Sequence, residues 1–142
     1  MSTSFLEKSK ESLESAQFLI DEGKYNSSIH CAYYSCVQVL LHVLHDNLGL
    51  NDSQFENEIS NYLRNRGKGG SHAYYINRVI TDLVNKNRVV SRLNTKLIDL
   101  KDLRVRADYK TDTIDRKEAN TALSFAETSI NELITHYNLP KL

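Results

Sequence analysis

Apolar residues recur at helical spacing through nearly the whole chain, and short polar or glycine-bearing breaks divide them into five or six segments. The first segment opens on Ser4 with Glu7, a capping-box pair, and carries Leu6, Leu13, Ala16 and Ile20 on one side. Gly23 is its expected stop. The second runs from about Tyr25 to Leu48, ahead of Gly49. Its apolar residues Ile29, Ala32, Tyr33, Cys36, Val39, Leu40, Val43 and Leu44 cover most of its circumference, which predicts the central helix of a bundle. Asp52 or Ser53, with Glu56, is the expected cap of a short third helix ending near Arg64. After the glycine-rich stretch 66–72, a fourth helix starts near Ser71 or His72, with Tyr75, Val79, Ile80 and Leu83 inward, and breaks around Asn85 to Asn87. Asp115 with Glu118 caps the last helix, which buries Ala119, Ala122, Leu123, Ala126, Ile130, Leu133 and Ile134 and ends before Pro140. The pattern predicts an all-α fold, a single-domain bundle of five to six helices over 1–142.

The fifth segment departs from this regularity. Its stripe runs Val90, Leu93, Leu97 and Leu100, and the next step falls on Arg104 before the stripe closes on Ala107. A guanidinium facing a helix neighbour needs an anion or several acceptors, because it cannot shed its charge by losing a proton. Arg106 lies off the stripe and is expected to be solvated. Arg104 is therefore the candidate for chemistry.

Charge sharpens the picture. The chain has a formal net charge of zero, yet residues 1–63 hold three Lys/Arg against nine Asp/Glu, and residues 64–110 hold twelve against four. A basic block in a neutral chain suits an anionic partner or an acidic surface on a second copy, and equally the solvated sides of helices. Cys31 and Cys36 are five apart, a spacing that suits neither a redox pair nor half of a zinc site, so both read as small apolar residues of a reduced protein. No apolar run is long enough to cross a membrane, and the first residues lack the order of a signal peptide. A soluble, cytoplasmic protein without a membrane contact is expected. In the stretch RGKGGSH the glycines and basic side chains invite a phosphate-loop reading, but their spacing fits neither GxGxxG nor the P-loop pattern, and a plain connector is expected.

The order of segments carries a resemblance. GKYNSSIHCAYYSCVQVLLHVL, residues 23–44, places a glycine turn before a helix with the Tyr33–Tyr34 pair; much later come LRVRADY, a short loop and an alanine-rich terminal helix. Together these resemble the HEPN (higher eukaryotes and prokaryotes nucleotide-binding) family, in its small single-domain prokaryotic form. The resemblance implies a helical bundle that usually dimerises through its long helices. It also implies RNA or nucleotide binding. Many members are metal-independent ribonucleases, often toxins paired with a nucleotidyltransferase-like antitoxin partner, and others are noncatalytic binding or interaction modules. No cofactor is implied. The family's nuclease signature is an arginine followed, after four to six intervening residues, by a histidine. Arg104 occupies the arginine position, but the histidine positions hold Tyr109, Lys110 and Thr111. The motif is degenerate. Three functions stay open: a homodimeric RNA or nucleotide binder from a toxin–antitoxin or defence system, a noncatalytic module for a nucleotidyltransferase-like partner, and an active endoribonuclease.

Cleavage without a metal needs a base for the 2′-hydroxyl, an acid for the leaving oxygen and a cation on the phosphate. Arg104 supplies the cation. Asp108 is a candidate base, a partner that orients Arg104 or a cap of the helix end; Tyr109 is a candidate acid or hydrogen-bond donor, since a phenol is a poor base at neutral pH, and the bland alternative is that both only tie the loop down. On the second helix His42 and His45 share a polar seam with Ser28, Ser35 and Gln38, which can line a cleft near Arg104 or face solvent. HxxH followed by Asp46 is too common a spacing to predict a metal site. His72 reads as a helix-start residue, and His30 and His136 have no partner legible in the sequence. Neighbouring tyrosines on a helix point about a hundred degrees apart, so Tyr33 is assigned to the core and Tyr34 to stacking on a base or to a dimer contact.

Overall fold

A computed structural model describes residues 4–66, 70–111 and 113–142, with the side chain of residue 66 excepted. Among these residues there are six α-helices and no strand: α1 (Phe5–Asp21), α2 (Tyr25–His42), α3 (Asp52–Arg66), α4 (Gly70–Asn85), α5 (Ser91–Tyr109) and α6 (Arg116–Tyr137). Residues 67–69 of the expected glycine-rich connector, and residue 112 of the expected KTDTI loop, lie outside the described residues.

The helix ends follow local chemistry. Ser4 Oγ accepts from the Glu7 N–H at 3.1 Å, and α1 closes through Gly23 at φ +76°, a left-handed position that costs glycine no steric strain. Asp115 and Glu118 form the full reciprocal box at the start of α6. The cap of α3 differs from expectation. Asn51 Oδ1 accepts from the Gln54 N–H at 2.8 Å while Gln54 Oε1 accepts from the Asn51 N–H at 3.0 Å. The box thus forms one residue ahead of Asp52, and α3 continues to Arg66.

α2 is central, packing on α1, α6, α5 and α4. Tyr33, Leu40 and Leu44 from α2 and its continuation meet Leu83 of α4, Leu93, Leu97 and Leu100 of α5, and Ile130 and Leu133 of α6 in one continuous core, all of them almost fully buried. Each such side chain contributes roughly 1.5–3 kcal/mol by leaving water. α4 is turned slightly from its expected phase: Tyr74 and Ile76 are buried with Val79 and Leu83, whereas Tyr75 and Ile80 are half-buried. The helix contacts both α2 and α3, and Tyr74 turns to α3, where its hydroxyl donates to Glu58 Oε1 at 3.0 Å.

The polar seam of α2 is neither a cleft nor a solvent face at its first two positions. Ser28 and Ser35 are fully buried against α1. Ser28 Oγ donates to Ala16 O at 2.8 Å, Ser9 Oγ to Ser35 O at 2.7 Å, and Ser12 Oγ to Gln38 Oε1 at 2.9 Å. Short hydroxyls let the two helices approach closely while satisfying their own hydrogen bonds on carbonyls. Past His42 the helix widens into a π turn over Val43–Asn47, and the Leu48 N–H reaches Val43 O at 2.9 Å. Among the described residues no helix is long and apolar enough to cross a membrane.

Candidate functional site

The stripe of α5 carries Arg104 to the junction of α2, α4 and α5. Its side chain is only 15% exposed, and three tyrosine rings surround it. The guanidinium carbon lies 5.5 Å from the Tyr33 ring centroid, 5.5 Å from that of Tyr34 and 5.6 Å from that of Tyr109. Such cation–π contacts contribute roughly 0.5–2 kcal/mol each and replace the apolar neighbours that a leucine would have had. Nη2 donates to Tyr34 Oη at 3.0 Å, and Nε forms an ion pair with Asp108 Oδ2 at 3.2 Å, out of line for a hydrogen bond. Burial works against the charge, but the Tyr34 hydrogen bond and the Asp108 carboxylate outweigh it and raise the pKa further. The cation is permanent. Nη1 hydrogen-bonds no described residue.

Two histidines complete the cluster: His30, which the sequence left without a partner, and His72, at the helix start where the sequence placed it. His30 stands one turn before Tyr34 on α2, its ring stacked on that tyrosine at 4.6 Å between centroids. Its Nδ1 lies 2.9 Å from Asp108 Oδ2, the same oxygen that faces Arg104. His72, in the first turn of α4, brings Nδ1 to 3.0 Å from Tyr33 Oη. Burial, and then the positive charges of Arg104 and Lys101, hold its pKa below the usual value, so the ring is neutral near pH 7. Tyr33, in turn, has its phenol pKa pushed well up by burial and stays protonated. The sequence marks His30 only by its spacing of four from Tyr34, because its partner Asp108 is 78 residues away.

The other expected site residues divide. Tyr34, Asp108 and Tyr109 all meet Arg104, Tyr109 with 70% of its surface exposed. Tyr33 is core as expected, though its ring and hydroxyl also face the cluster. His42 and His45 are not brought to Arg104 within the chain: at 1.5 Å rise per residue His42 lies roughly 12 Å along α2 from Tyr34. His42 pairs with Asp46 at 3.3 Å. His45 packs on Phe5 and Phe55 and meets Leu50 O at 2.9 Å through Nδ1, so it ties the π turn to the start of α3. Arg106 is not simply solvated; it pairs with Glu118, because the end of α5 meets the first turn of α6.

A family model described as the HEPN domain matches residues 2–136, nearly the whole chain. No curated protein and no solved structure matches it.

Proposed function

The chain belongs to the HEPN domain family, and from that premise we propose that it is a single-domain RNA- or nucleotide-binding protein, acting as a homodimer, with Arg104 as the phosphate clamp. Membership of the family supports a nucleotide- or RNA-related function in general. The observation that carries the specific reading is the state of Arg104: a permanent cation, pre-oriented by Tyr34 and Asp108, with Nη1 engaging no described residue. A phosphate oxygen is the acceptor that such a fork suits. Beside it stands the exposed ring of Tyr109, a surface on which an unpaired base stacks. Lys101, one turn before Arg104 on α5, adds a second positive charge to the same neighbourhood.

The test is binding of a single-stranded 2′-O-methyl oligoribonucleotide by wild type and Arg104→Ala across a salt series. The variant is expected to bind at least tenfold more weakly, in line with the roughly 1.5–3 kcal/mol of a charged hydrogen bond, and its log–log salt slope to fall by about one. Equal affinity and equal slope in the two proteins would remove Arg104 from the interface.

A further inference from the structure

We propose that His30 is the general base of a metal-independent RNA cleavage at this cluster, supplied by α2 in place of the histidine that the motif after Arg104 lacks. The inference rests on the phosphate-binding reading above and adds a reaction to it.

The geometry selects His30 over His72. An ionised carboxylate can only accept, so Asp108 Oδ2 at 2.9 Å places the imidazole proton on Nδ1. The neutral ring then carries its lone pair on Nε2, the arrangement a general base needs. The stack on Tyr34 fixes the plane of the ring. Because Asp108 Oδ2 also faces Arg104 Nε, one oxygen sets both the tautomer of the base and the orientation of the cation. His72 lacks such a partner: its Nδ1 faces a phenol, and it is half-buried among rings. The spacing is economical, with His30 and Tyr34 one turn apart on α2 and Arg104 and Asp108 one turn apart on α5.

In the reaction, Arg104 holds the scissile phosphodiester. His30 Nε2 takes the proton of the adjacent 2′-hydroxyl, the 2′-oxygen bonds to phosphorus, and the bond from phosphorus to the 5′-oxygen breaks. The exposed Tyr109 hydroxyl, whose ring lies 5.6 Å from the Arg104 guanidinium carbon, protonates the leaving 5′-oxygen. Water then returns a proton from the imidazolium to the phenolate. The products are a 2′,3′-cyclic phosphate and a 5′-hydroxyl, with no oxidation and no co-reactant. Asp108 is a positioning residue in this scheme.

The experiment compares wild type and His30→Ala in chelator on a labelled single-stranded oligoribonucleotide, with binding of its 2′-O-methyl counterpart measured in parallel. Wild type is expected to leave cyclic-phosphate ends. His30→Ala, truncated at a half-exposed position, is expected to keep its helical circular dichroism and most of its binding, to cleave roughly 10²–10⁴-fold more slowly, and to regain rate when imidazole is added. A wild type that binds the 2′-O-methyl strand but leaves the ribose strand intact overturns the reaction and leaves the phosphate clamp standing. His30→Ala cleaving at the wild-type rate, or losing rate with no response to imidazole, overturns the base assignment alone. A wild type that binds neither strand overturns both proposals.

Discussion

His72 shows how a single side chain can couple the Arg104 cluster to stability. Burial, then the charges of Arg104 and Lys101, depress its pKa from the usual 6.5. Below that value the unfolded chain takes up a proton that the folded chain refuses, so stability falls as pH drops from about 6.5 towards the folded pKa and is unaffected above it. The ring is half-open to water, so screening keeps the contribution below about 1 kcal/mol. Urea unfolding at pH 7.5 and pH 5 is expected to show a smaller loss for His72→Gln than for wild type. Equal losses would mean that neither burial nor the neighbouring cations disfavour the protonated ring. Arg104 itself was legible, because the period from Leu97 and Leu100 lands on it; the partners of His30 and His72 were not, because periodicity carries no information about which distant helix an imidazole will meet.

Helix limits were legible where the signal is local. Asp115 and Glu118 form their box across three residues, and that reading needs no tertiary knowledge. Asp115→Ala is expected to cost about 1 kcal/mol, read as a lower urea midpoint at unchanged slope; a midpoint equal to wild type would show that the pairing of Glu118 with Arg106 holds the helix start by itself. At α3 several adjacent residues could cap, and Asn51 prevails over Asp52 and Ser53 because Gln54 returns its hydrogen bond. For α4 the period was right and the phase was not. Two neighbouring helices compete for its faces, and the Tyr74–Glu58 hydrogen bond to α3 helps to decide the outcome. The serines of α2 differ from expectation for a related reason: polarity suggests an open seam, whereas the Ser28 and Ser35 hydroxyls donate to the carbonyls of Ala16 and Ala32 and are compatible with full burial.

At the scale of the molecule, the buried residues of all six helices form one core, and the acidic and basic blocks of the chain meet on α3, which carries Asp52, Glu56 and Glu58 ahead of Arg64 and Arg66. The proposed homodimer predicts twice the mass of one chain in sedimentation equilibrium. A monomer at micromolar concentration would remove the dimer but not the phosphate clamp, since His30, Tyr34, Arg104 and Asp108 meet within a single chain.

By itself the sequence determined the helical class, the central place of α2, most helix ends, and the exposure of one arginine to a role that no leucine could fill. These depend on the period of apolar residues and on caps three residues long, which are properties of neighbouring positions. Tertiary structure alone decided that His30 and His72 would converge on that arginine's cluster, that His42 and His45 would make other contacts within the chain, and that Arg106 would find Glu118. Each of those outcomes depends on the rotation of one helix against another, which packing of the whole core sets.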